Sequence, residues 1–100
     1  MKYVRLGPTG TKVSQFALGA WHLPGSGVRD QWGVETVDRQ EMAKIVKKAF
    51  DAGINFVDTA NVYHGRMQSS NPKHAGNSEK VLGQVLKGYD RDSLVLATKV

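Results

Sequence analysis

Two apolar runs of strand length, Ile54-Asn55-Phe56-Val57-Asp58-Thr59 and Leu94-Val95-Leu96-Ala97-Thr98-Lys99-Val100, flank a helical pattern, and each carries an ionisable residue to its C-terminal end. Apolar residues on both faces mark buried parallel strands, and parallel strands need a crossover of a dozen or more residues between them. The chain is thereby confined to a βαβ architecture.

The remaining segments extend that pattern. Tyr3 to Leu6 and Lys12 to Phe16 alternate apolar and polar residues around Gly7-Pro8-Thr9-Gly10-Thr11, a short hairpin whose Pro and Gly supply the turn. Phe16-Ala17-Leu18-Gly19-Ala20-Trp21 reads as a buried strand, followed by a long polar loop through Pro24, Gly27 and Gly33. Asp38 with Glu41 has the spacing of a capping box, and Met42, Ile45, Val46, Ala49 and Phe50 recur as one helical stripe that Gly53 ends. After the Ile54–Thr59 strand, the loop from Asn61 to Asn77 is too long for a bare connector. Ser78 is placed to cap a second helix whose stripe is Val81, Leu82, Val85 and Leu86.

Hairpin, strand, helix, strand, helix, strand is the opening of either a doubly wound open sheet or a (β/α)8 barrel. Gly19-Ala20-Trp21-His22-Leu23 cannot match G-x-G-x-x-G, and Gly25-Ser26-Gly27 continues without a third glycine, so a dinucleotide-binding start of the open-sheet kind is disfavoured. Gly7-Pro8-Thr9-Gly10-Thr11-Lys12 also fails the P-loop spacing. Leu94 to Val100 is still strand-like at the final residue, which reads as the front part of a longer domain.

Composition narrows the chemistry. The chain of 100 residues has no cysteine, which removes disulfides, thiolate nucleophiles and Cys-ligated metal from consideration and suggests a reducing compartment, with cytoplasm as the default. No apolar run of the ~18 residues that a membrane span requires is present, and Met1-Lys2-Tyr3-Val4-Arg5 lacks a signal-peptide core. The formal charge of +5 invites a nucleic-acid reading, but the basic residues are scattered. Lys44, Lys47 and Lys48 fall where a helix would face solvent.

In a parallel βα barrel the reactive face is built from the C-terminal ends of the strands, where Trp21, Asp58 with Tyr63, and Lys99 all fall. Period-two alternation puts Asp58 on the side of Phe56, and Lys99 on the side of Val95 and Ala97. An unpaired buried ion costs several kcal/mol, so the economical arrangement pairs the Asp58 carboxylate with the Lys99 ammonium. An ammonium near the Tyr63 hydroxyl favours the phenolate, which suits a phenol that must give or take a proton near neutral pH. The bland counterpart is Asp58 capping a turn, Tyr63 packing on a loop and Lys99 reaching into solvent.

Taken together, Gly53-Ile54-Asn55-Phe56-Val57-Asp58-Thr59-Ala60-Asn61-Val62-Tyr63, then Ser78-Glu79-Lys80-Val81-Leu82-Gly83, then Ala97-Thr98-Lys99-Val100 resemble the aldo-keto reductases in order and spacing. Leu6-Gly7 to Val13-Ser14 and Leu18-Gly19-Ala20-Trp21 are similar to that family's opening hairpin and first strand. The resemblance implies an α/β (β/α)8 TIM barrel, with residues 1–100 as the N-terminal part of one barrel domain that continues beyond them. It implies an oxidoreductase passing hydride between NADP(H), or NAD(H), and the carbonyl or alcohol carbon of a small-molecule aldehyde, ketone or sugar. Tyr63 is then the general acid/base, Lys99 its electrostatic partner and Asp58 the partner of the lysine. Gly19, Ala20, Trp21 and Asp58 would line the cofactor, and Trp21, Tyr63 and His64 the substrate. The family's catalytic histidine belongs to the next strand and its adenosine-phosphate contacts come later still, both after Val100.

Two departures bear on substrate choice: His64 stands where the family often has glycine, and the loop Arg66 to Asn77 is enlarged. His22, His64 and His74 lack ligand-like spacing and read as exposed loop residues rather than metal ligands. Three other readings remain open at this point. One is a cofactor-binding partner subunit of the same fold, as in potassium-channel beta subunits. The second is a basic nucleic-acid-binding domain, and the third a barrel enzyme using Lys99 as a Schiff-base amine. No nucleic-acid or membrane partner is expected, and the oligomeric state is open.

Overall fold

The computed structural model describes residues 1–67 and 69–100, so Gln68, inside the expected Asn61–Asn77 loop, lies outside the described residues. Strands β1 (Tyr3–Arg5) and β2 (Lys12–Ser14) form the opening hairpin; β3 (Leu18–Gly19), β6 (Phe56–Asp58) and β7 (Val95–Ala97) form a parallel sheet in the order β3-β6-β7. Between β3 and β6 lie a second antiparallel hairpin, β4 (Gly25–Arg29) with β5 (Glu35–Val37), and helix α1 (Arg39–Asp51). Helix α2 (Asn77–Val85) connects β6 to β7. The described residues are thus a partial α/β unit with two βα crossovers.

Helix α1 starts as the capping pattern requires: Asp38 accepts a hydrogen bond from the Glu41 amide at 3.0 Å. Glu41 does not complete a reciprocal box but pairs with Lys44 at 3.7 Å, an exposed contact of little energetic weight. Gly53, at φ 96°, lets the chain turn out of the helix into β6. Met42 and Val46 from the stripe are buried against Ala20, Val57, Val81 and Leu82, and this cluster is the core between the helices and one face of the sheet. Ile45, at the edge of the stripe, is exposed.

Several segments differ from the sequence reading. The ladder of the first strand is only Leu18–Gly19, and Phe16 is exposed. The polar stretch after Trp21 is not an open loop: Gly27 and Gly33, at φ 83° and 79°, permit the β4–β5 reversal. The opening hairpin is stitched below the sheet by Asn55, whose Oδ1 accepts from the Ser14 amide at 2.8 Å and whose Nδ2 donates to the Lys12 carbonyl at 3.2 Å. Among the described residues no helix is long and apolar enough to cross a membrane.

Ser78 is not the cap of α2. Gly76 occupies that position with φ 72°, and Ser78 lies inside the first turn, fully buried. Its hydroxyl donates to the Ala20 carbonyl at 2.9 Å, so the 3.2 Å contact with Thr59 uses the threonine proton. One side chain therefore ties α2 to the ends of β3 and β6. Ser78→Ala should lower stability by about 1–3 kcal/mol, the usual penalty for leaving buried polar groups unpaired. Urea unfolding measures it, and an unchanged midpoint would show that the tie carries no stability.

Candidate functional site

The site is assembled by strand register. Gly19, Asp58 and Ala97 are direct partners across β3, β6 and β7, so they share a pleat and a face, opposite to the buried Val57. Pairing persists past the ladder, with the Thr59 amide donating to the Ala97 carbonyl at 2.8 Å and the Asn61 amide to the Lys99 carbonyl at 3.1 Å. These two bonds carry Lys99 to the face of Asp58. At the first turn of α2, Glu79 accepts from the Thr98 hydroxyl at 2.8 Å and holds the intervening residue on the helix side.

The Lys99 ammonium donates to Asp58 Oδ1 at 3.0 Å, Asp58 Oδ2 at 3.1 Å and the Thr59 carbonyl at 3.0 Å. It also lies 4.8 Å from the centroid of the Tyr63 ring. Tyr63 is set by the turn that leaves β6: its amide donates to the Ala60 carbonyl at 3.3 Å, and its own carbonyl accepts from the Ser78 amide at 3.4 Å. Tyr63 is 7% exposed, and its ring is tilted against Trp21 at 5.3 Å between centroids. Carboxylate, ammonium, phenol and indole therefore form one cluster at the C-terminal ends of the strands.

The carboxylate and ammonium side chains are 42% and 51% exposed, so the pair is half open to water rather than buried as the sequence argument assumed. Lys99 is nonetheless held above the ordinary lysine pKa, chiefly by hydrogen bonding with the Tyr63 side chain and then by the Asp58 carboxylate. It stays an ammonium.

The other candidates separate. Trp21 is 52% exposed and His22 stacks on it at 6.1 Å. Ala20 has no exposed surface and belongs to the core, so its side chain offers nothing to a ligand. A Cβ added at Gly19 would meet no atom within 4 Å, which leaves open space over the sheet beside Asp58. That space and the flat apolar wall of Trp21 fit a planar ring.

His64 is half-buried, with its Nε2 2.6 Å from the Glu35 carbonyl. Its φ of 56° is left-handed, a conformation that costs a residue with a side chain about 1 kcal/mol. His74 is not an exposed loop residue as the sequence suggested: it is buried, with Nε2 2.8 Å from Asp30 Oδ2 and Trp32 packed edge-on at 5.5 Å. Burial works to raise the pKa of Asp30, but the His74 bond and the Val34 and Trp32 amides hold it below the ordinary carboxylate value. No group of three or more His, Cys, Asp or Glu able to hold a metal occurs among the described residues. Sequence reasoning missed Ser78 and Glu79 as site-building residues; the signal was their position in the first helical turn after the long loop, where side chains reach strand ends.

Comparison with known proteins adds a family match: the model of the Aldo/keto reductase family covers residues 15–100. A Schizosaccharomyces pombe protein provisionally named a voltage-gated potassium channel subunit beta is 40% identical over 97 residues, spanning 95% of this chain and 23% of its own. The Bacillus subtilis aldo-keto reductase YhdN is 32% identical over 99% of this chain and 25% of its own. The holo form of a Bacillus halodurans aldo-keto reductase superposes with a TM-score of 0.71 at 29% identity, over 100% of this chain and 26% of that one. The chain thus spans about a quarter of the length of the curated relatives it matches.

A raised lysine pKa means that the folded state favours the charged form. Its stabilising contribution is complete below the unfolded value of 10.5 and disappears as pH rises through the folded value. The stability difference between the wild type and Lys99→Met should therefore hold steady through neutral pH and shrink once pH climbs past 10.5. Urea unfolding over that range reads it, and a difference still constant well above that point would remove Lys99 from the cluster.

Proposed function

The chain belongs to the aldo/keto reductase family, and from that premise we propose that it forms the N-terminal part of a nicotinamide-dependent oxidoreductase acting on aldehydes, ketones or sugars. The observation that supports this most is the convergence of Asp58, Tyr63 and Lys99, with Lys99 4.8 Å from the Tyr63 ring and bonded to both carboxylate oxygens. In this reading the β3-β6-β7 sheet is the first arc of a (β/α)8 barrel, and its half-exposed inner face is the barrel interior.

The open space at Gly19 and the exposed Trp21 indole fit a nicotinamide ring, with Asp58 beside it. The chemistry that NADP(H), or NAD(H), supplies when bound is hydride exchange with the carbonyl carbon. The chain's own residues handle the proton. The Tyr63 hydroxyl hydrogen-bonds the carbonyl oxygen, polarises it and gives up its proton as negative charge grows there. The Lys99 ammonium then faces the phenolate oxygen and stabilises it, and Asp58 with the Thr59 carbonyl keeps the ammonium in place. Alcohol oxidation runs the same transfer backwards. A Schiff-base role for Lys99 requires a neutral amine, and the raised pKa opposes that.

A partner-subunit role with little turnover is the second reading, favoured by the 40% identity to the protein named as a channel beta subunit. NADPH consumption against an aldehyde panel separates the two. In the intact protein Tyr63→Phe should cut turnover ~100-fold or more with cofactor affinity nearly unchanged, as expected for loss of a general acid. Normal turnover in that variant would end the assignment.

Gly19→Ala tests the cofactor placement independently. The new methyl meets no atom within 4 Å, so folding should be unaffected while NADP(H) binding, read by fluorescence titration, weakens ~10-fold from steric overlap. Unaltered cofactor affinity would move the ring away from the end of β3.

A further inference from the structure

Among the described residues His64 is the one non-glycine with a positive φ, and it directly follows Tyr63. Strain of this kind persists where surrounding contacts impose it. The contact here is the 2.6 Å bond from Nε2 to the Glu35 carbonyl, and because a carbonyl only accepts, Nε2 carries the proton. Glu35 opens β5 of the second hairpin, so the bond joins that hairpin to the Tyr63 turn.

All five residues of β4 are exposed; Val34, just before β5, is buried, and Val37 packs against the core where the hairpin joins α1. The hairpin's base is closed by Val37 against the core and by the Asp38 amide donating to the Pro24 carbonyl, while its turn end, where Arg29 pairs with Glu35, is held by Asp30 to His74 and by the Glu35 carbonyl to His64. Between the hairpin and the Trp21 indole lies a cavity of about 310 Å³ bounded by Trp21, His22, Leu23, Arg29, Val34 and His64. One side is the segment that follows β3 and the other is the hairpin.

We propose that His64 is a positioning residue that latches the β4–β5 hairpin to the Tyr63 turn, making the hairpin the outer wall of the substrate site and the element that selects larger, planar carbonyl compounds. The latch stands on this geometry, and the occupant of the cavity rests on the oxidoreductase reading given above. A planar substrate stacks on the Trp21 face and touches the hairpin, whereas a short aliphatic aldehyde does not extend that far. The strained backbone at His64 is maintained by the bond that shapes this wall.

The test is His64→Gly in the intact protein, a substitution that suits the left-handed φ and so removes the latch without adding strain. Amide hydrogen exchange across residues 25–37 should accelerate ~5-fold, the effect of one lost hydrogen bond, with the core amides of α1 unchanged. The KM for benzaldehyde should rise by a similar ~5-fold, more than the KM for propanal and more than kcat falls. Unchanged exchange in the hairpin overturns the latch. Faster exchange with the two KM values moving together overturns the wall. Wild-type protein that turns over no carbonyl compound sinks the oxidoreductase reading instead, and the exchange comparison still decides the latch.

Discussion

The parallel register in which Gly19, Asp58 and Ala97 stand side by side is the constraint on which the rest of the molecule depends. Side chains alternate faces with a period of two, so a slip of one residue in β7 would send Lys99 to the helix side and bring Thr98 to Asp58. The register is enforced from both faces. On one, Val57 is enclosed by Met42, Val46, Val81 and Leu82, which makes a slip of β6 exchange a fully buried apolar side chain for Asp58. On the other, the lysine, the carboxylate and the Thr59 carbonyl interlock only in the observed alignment.

Helix α2 does more than return the chain to the sheet. Its first turn sends Ser78 to the Ala20 carbonyl and Thr59, and Glu79 to Thr98, so all three strand ends are gripped by adjacent helical residues. Strand ends are places where backbone pairing runs out and polar groups need partners. A helix beginning directly above them satisfies those groups and at the same time sets their spacing. Packing and site geometry are here the same set of bonds.

What could be read from residue order follows from which interactions are local. The stripe Met42, Val46 and Phe50, the Asp38 cap and the Gly53 exit depend on neighbours within a few turns, and they fold as the pattern indicates. The alternation in Ile54–Thr59 and Leu94–Lys99 was enough to place Asp58 and Lys99 on one face, and the Asp58–Lys99 contact follows from it. The β4–β5 hairpin was not legible, because its glycines serve a loop and a turn equally well and the five residues of β4 are all exposed, so no buried face imposes a pattern on that strand. Ser78 and His74 were misjudged for a related reason. A serine at a helix start and a histidine in a polar loop are ordinarily exposed, and their burial here comes from partners 58 and 44 residues away in sequence.

The half-exposed Asp58–Lys99 pair shows why geometry rather than stability is its contribution. Charges 42% and 51% exposed are screened by water, and such pairs add little to folding free energy. Three acceptors around the ammonium are nevertheless supplied by one strand end, Asp58 with Thr59, in addition to the Tyr63 side chain, so its position is decided before any ligand arrives. An ammonium held that way gains electrostatic strength as water leaves, since the interaction between charges scales inversely with the local dielectric. In the proposed reaction, a planar cofactor over Gly19 and a substrate against Trp21 are what displace that water. The same residues that contribute little to the resting fold then act on the Tyr63 oxygen at the moment it releases its proton, without the reorientation that solvent would need.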